Sequence, residues 1–141
     1  MKLSTTLSRL AALLLSLALV YFSFKSQPEF SGDPVLPGWL EWFGDTFPDF
    51  RTFVPFFLYA ILLPFLPRDY SDFPGKTIFL GCAALAVFLV SSELIQYFMP
   101  RRQFAWMDLI WGAAGIVCGA ILGIGAWVMR RSGEAAMNND R

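Results

Sequence analysis

The apolar positions of this chain fall into four long runs separated by short polar stretches, a spacing that predicts membrane-crossing helices. The first run covers about residues 10–24 (LAALLLSLALVYFSF) behind Lys2 and Arg9, and the second covers 52–66 (TFVPFFLYAILLPFL). The third covers 77–99, and the fourth covers 106–129, closed by Arg130 and Arg131. The second run is short against the ~20 residues that cover the hydrocarbon core. Pro55 and Pro64 lie towards its ends, where lost backbone bonds are easier to replace. A polar tail, 132–141, follows the fourth run and is expected to fray. The pattern predicts an all-α polytopic membrane protein, one domain over 1–141 with about four transmembrane helices.

The first run has the basic entry of a signal peptide. Tyr21, Phe22 and Phe24 occupy its exit, where cleavage would require small residues, so an uncleaved signal anchor is expected. Between the first and second runs lies Lys25 to Arg51, with Trp39, Trp42, Phe43 and Phe47 set among Glu41, Asp45 and Asp49. Aromatic rings favour the headgroup layer, which predicts an interfacial aromatic loop or short surface helix. It is read either as a belt holding the second segment at depth or as a lid that contacts a ligand.

Composition narrows the function classes. Hydrophobic residues make up 56% of 141 positions, too many for the interior of a soluble domain this size. Eleven basic and eleven acidic residues cancel, so no overall field recruits nucleic acid. There is no histidine, which removes Ser-His pairs and imidazole proton relays. Cys82 and Cys118 both sit in apolar runs and are read as small packing residues; without histidine they make no complete metal set. No cofactor or metal is implied.

Orientation follows from the positive-inside rule. With the N-terminus in the cytoplasm, the inner pieces hold seven basic residues (Lys2, Arg9, Arg68, Lys76, Arg130, Arg131, Arg141). The outer pieces hold four (Lys25, Arg51, Arg101, Arg102). Both termini are therefore expected to be cytoplasmic, with the turn between the third and fourth segments outside.

Polar chemistry gathers at that turn. Glu93 and Gln96, three residues apart, share one helical face near the end of the third segment. Pro100 ends the helix, Arg101 and Arg102 follow, and Asp108 enters the fourth segment almost at once. Ionisable groups at this depth need partners or water. Arg102 could pair with Glu93 or Asp108 as a clasp on the hairpin, or the cluster could form an outward-facing polar pocket. Ser91 and Ser92 adjoin Glu93, but serines in such helices usually bond backbone carbonyls. Gly112, Gly115, Gly119 and Gly123 keep to one face of the fourth segment, and Cys82 and Ala86 share the face of Glu93. These stripes predict close packing of the third and fourth helices on each other.

The stretch Glu93-Leu94-Ile95-Gln96, Pro100-Arg101-Arg102, Asp108, Gly115 and Gly119 resembles the signature of the VanZ-like membrane protein family. That signature reads Glu-x-x-Gln, Pro-x-Arg, an Asp six residues after the Arg, and glycines seven and eleven residues after the Asp. The small multi-span architecture matches over most of the chain. Departures are Gly112, where the family often has Asn, and Phe53, near which it often has His; Asp49 and Arg51 stand where Asp-Lys often opens the second segment.

The resemblance implies a protein of the bacterial cell (inner) membrane and a context of resistance to teicoplanin-type glycopeptides. The expected role is binding or shielding an anionic lipid head or cell-wall precursor at the outer face. The expected site residues are Glu93, Gln96, Arg101, Arg102 and Asp108, and membrane lipids are the expected partners. The alternatives are an intramembrane lipid-modifying enzyme with Glu93 and Asp108 as acid and base, or a non-catalytic assembly subunit.

Overall fold

The computed structural model describes residues 2–24, 36–67, 74–99 and 104–139. Five α-helices follow in chain order: α1 (Lys2–Phe24), α2 (Gly38–Thr46), α3 (Pro48–Leu62), α4 (Gly75–Tyr97) and α5 (Trp106–Asn139). A 3-10 turn, Leu63–Phe65, extends α3. Helices α1, α4 and α5 are each long and apolar enough to cross a membrane, and the bent pair α2–α3 brings the number to as many as four. The protein is an all-α, multi-pass membrane protein.

Prolines set the helix boundaries. Phe47 precedes Pro48 and is held at φ −125°, ψ 72°, outside the helical region, as the steric demand of a following proline requires. Pro48, which has no N–H to satisfy, then opens α3, and the chain turns by 112° between α2 and α3. The aromatic loop expected from the sequence is thus a short helix set across the end of the bundle. Trp39 and Trp42 of α2 are exposed, and Phe43 and Phe47 meet Phe50 of α3 edge-on. At the other junction, α4 stops at Tyr97, ahead of Pro100.

The second apolar run, expected over 52–66, begins four residues earlier at Pro48 and ends in the 3-10 turn, where Pro64 is almost fully buried. This helix occupies the middle of the bundle. Phe56, Ala60 and Leu63 form the core with Leu19 of α1, Ile78, Leu85 and Leu89 of α4, and Ile116 of α5. Most of α1 is exposed: Leu13, Leu14 and Leu17 face outward, and among the described side chains of this helix only Ala12 and Leu19 are buried. Polar contacts hold it at three levels. Arg9 donates to the Leu66 carbonyl (3.2 Å), Ser16 pairs with the Tyr59 hydroxyl (3.3 Å), and Gln96 donates to the Ser23 carbonyl (3.1 Å).

The glycine face of α5 meets α3, which corrects the expected pairing with α4. A methyl group at Gly115 would lie 2.5 Å from the Phe53 carbonyl oxygen, and one at Gly123 would lie 2.7 Å from that of Ile61. At Gly119 it would collide with the Phe57 carbonyl. The Phe53 and Phe57 rings stack on each other (5.5 Å, 16°), and the α3 backbone beside them sits directly against the glycines. Lipid tails are as apolar as the helices, so such close backbone approach is a main source of attraction. Gly112 does face α4, against Leu89. Ala86 is exposed and Cys82 only half-buried, so their stripe is not the α4–α5 seam. Both cysteines are free thiols; Cys82 packs against the core, while Cys118 is exposed and does not pack as expected.

The tail also differs from expectation. Helix α5 continues through Ser132 to Asn139, giving ~51 Å in all, well beyond the ~30 Å hydrocarbon core. Glu134, Ala135, Ala136 and Met137 are strong helix formers, and Arg130 pairs with Glu134 one turn away at 3.1 Å. Gly133 has open space where a side chain would stand. Gly133→Ala should therefore stabilise this extension by about 1 kcal/mol. Hydrogen exchange over residues 130–138 would slow if so; unchanged exchange would mean that the extension is not helical in solution.

Candidate functional site

Four helix ends meet at one end of the bundle: the last residues of α1 and α4 and the first of α3 and α5. They enclose a cleft of about 50 Å³, room for a few water molecules or a compact polar group. Glu93, Gln96 and Asp108, all expected from the sequence, line it together with Arg51, Thr52 and Ser92. Pro55, Phe56 and Leu89 supply apolar walls.

Helix periodicity explains the α4 contribution. Leu85, Leu89, Ser92, Glu93 and Gln96 recur at helical spacing on the inward face, so the stripe that is apolar in mid-membrane turns polar in its last turns. Ser92, Glu93 and Gln96 are 5%, 3% and 6% exposed, so each side chain needs an internal partner. Ser92 donates to the Leu89 carbonyl at 2.9 Å, which ties up its hydroxyl hydrogen. Gln96 donates to Ser23 and fixes the end of α1.

Glu93 has a different task. Its Oε2 accepts the Ala105 N–H at 3.3 Å, immediately before α5 begins at Trp106. A helix start leaves several N–H groups without helical partners and carries partial positive charge. The carboxylate of one helix thereby caps the next. Asp108, in the first turn of α5, gains from the same field, and its Oδ1 accepts from Thr52 at 3.2 Å. Two acidic groups are thus held near one helix N-terminus, and Arg51 of α3 brings a guanidinium to the same cleft.

The sequence reading missed Arg51, Thr52 and Ser92 as members of the site. A usable signal was present: Thr52 is the first residue of the second run and Asp108 lies near the start of the fourth, so parallel neighbours would set them at equal depth. Arg101 and Arg102 lie outside the described residues. Ser91, considered beside Ser92, is exposed on the opposite side of α4. Among the described residues no group of three His, Cys, Asp or Glu is placed to hold a metal ion.

A band of rings flanks the site. Phe50 stacks on Trp111 (5.9 Å, 28°), Phe53 meets the same indole edge-on, and the band reaches α2 through Phe43 and Phe47. The Trp111 Nε1–H is buried without a hydrogen-bond partner among the described residues. This band couples α2 to the α3–α5 pair. Comparison with known proteins adds no relative: no family model, curated protein or solved structure matches the chain.

Proposed function

We propose that this chain is a VanZ-like protein of the bacterial inner membrane, with cytoplasmic termini, whose cleft opens at the outer face. There it binds or shields an anionic lipid head or a cell-wall precursor and contributes to resistance against teicoplanin-type glycopeptides. One observation carries the reading: Glu93, Gln96 and Asp108, the polar residues of the sequence signature on α4 and α5, line a single cleft with Arg51. Desolvating these groups in a membrane bundle is costly, and their gathering around one cleft at the helix ends supports a polar ligand there.

An anionic head is favoured over a cationic one by the basic residues near this end. Arg51 lines the cleft, and the sequence Pro100-Arg101-Arg102-Gln103 joins the two helix ends that carry Glu93 and Asp108. Guanidinium groups bind phosphate and carboxylate with paired, charge-assisted hydrogen bonds. The orientation is supported by the seven-to-four distribution of basic residues. Catalysis by Glu93 and Asp108 has less support, since Ser92 already donates to a backbone carbonyl and Glu93 is engaged as a cap.

The test is glycopeptide and lipoglycopeptide susceptibility with and without the gene, paired with mass spectrometry of lipids that co-purify with the protein. Arg102→Ala should abolish the resistance difference and the co-purifying lipid while membrane abundance stays at wild-type level. A parallel loss of abundance would assign this arginine to holding the hairpin together. No susceptibility difference in the presence of the gene would overturn the resistance role.

A further inference from the structure

Directly below the cleft, towards the opposite membrane face, α1, α3 and α4 leave a groove of about 600 Å³. Its walls are almost wholly apolar: Val20, Leu63, Leu80 and Phe88, with Ala84 between them and Leu63 packed on Gly81. Ser16, Tyr59 and Thr77 are its hydroxyl-bearing residues, and the first two bond to each other at 3.3 Å. Leu19 lines both the groove and the cleft, so the two spaces share a wall.

We infer that this groove holds a hydrocarbon chain of the amphiphile whose polar head occupies the cleft. The inference rests on the proposed head-binding role and extends it to the ligand's tail. Along α4 the groove runs from Thr77 to Phe88, ~16 Å at the helical rise, about half of the ~30 Å hydrocarbon thickness and so the depth reached by the chain of one leaflet. The polarity argues for such an occupant: a polar recess and an oily groove lie one below the other on either side of Leu19, the order of groups along a single-headed lipid.

The channel also has a structural origin. Among its described side chains, helix α1 is buried only at Ala12 and Leu19, and polar contacts join it to its neighbours at separate levels. Between those levels it stands apart from α4, where Ala84 presents only a methyl group to the gap; the space beside Gly81 is taken by the Leu63 side chain.

The experiment uses the full chain in phosphatidylcholine vesicles with three photoreactive probes, each bearing a diazirine on the chain: phosphatidylglycerol, a polyprenyl phosphate and headless hexadecane. Adducts are mapped by mass spectrometry. They should concentrate on groove residues such as Tyr59 and Leu80 and fall with unlabelled competitor. Ala84→Trp, which fills the groove, should remove them, whereas Val87→Trp on the outward face should not. Thr77→Trp, at the far end, repeats the block should Ala84→Trp fail to accumulate.

Adducts spread equally over the outward-facing Phe79 and Val87, or surviving both blocking variants, would overturn the groove as a chain site. The head-binding role is judged separately by Arg51→Gln. If that change lowers labelling by the two headed probes but not by hexadecane, both ideas stand, and the better competitor identifies the lipid source. If all three probes label the groove alike and Arg51→Gln changes none of them, the chain site stands and the head-binding role falls.

Discussion

Gly119→Val is expected to destabilise the folded bundle by about 3 kcal/mol, the upper part of the usual range for overpacking a close interface. The reason is local. A Cβ at this position would run into the Phe57 carbonyl and stand 2.9 Å from the Ala60 methyl. Ala60 is fully buried at the centre of the core, and a backbone carbonyl cannot swing aside as a long side chain can. The helices would have to separate, losing dispersion contact on both sides of the substitution. Gly125→Val is the matched control, since nothing lies within 4 Å of a side chain there, and its effect should stay within about 0.5 kcal/mol. Unfolding in detergent, followed by tryptophan fluorescence, separates the two. Equal stability of both variants would mean that α3 and α5 do not meet along this face.

The second large effect concerns Glu93. Glu93→Leu removes the acceptor for the Ala105 N–H at a buried site and should cost about 2–3 kcal/mol, the desolvation of an unpaired group plus a lost cap. Glu93→Gln retains a side-chain oxygen for that N–H and gives up only the charge, so it should lose about 1 kcal/mol or less. The pair distinguishes structure from function. If Glu93→Gln keeps its melting temperature and membrane abundance but loses co-purifying lipid or the resistance difference, the negative charge serves the ligand. If it behaves as wild type in every assay while Glu93→Leu fails to accumulate, Glu93 acts as the cap of α5 alone. Equal tolerance of both substitutions would refute the capping contact.

These predictions show which parts of the site could be read along the chain. Glu93 and Gln96 were placed on one face by their three-residue spacing, and α4 carries both inward as expected. Asp108 was recognised because a carboxylate just inside an apolar run must find a partner. That the partner is Thr52 was not visible, because a hydroxyl at the start of a helix has many uses and carries no distinctive spacing. Arg51 was read as the flank of a segment and proves to line the cleft. The capping role of Glu93 depends on bringing the end of one helix beside the start of another, twelve residues on.

What the sequence determined by itself is local in origin. Long apolar runs commit the chain to membrane helices, because backbone groups in hydrocarbon must bond within their own segment. Two prolines mark where those helices begin or end: Pro48 forces the bend between α2 and α3, and α4 ends before Pro100, while Pro55 is carried inside α3. Only the tertiary structure decided which neighbour the glycine face of α5 meets. Three helices offer it similar apolar surfaces, and in lipid no gradient of hydrophobicity selects among them. The choice rests on fit, and the α3 backbone beside Phe53, Phe57 and Ile61 provides the closest one. That same choice sets Arg51 and Thr52 beside Asp108 and leaves α1 at the periphery, opening the groove beneath the cleft.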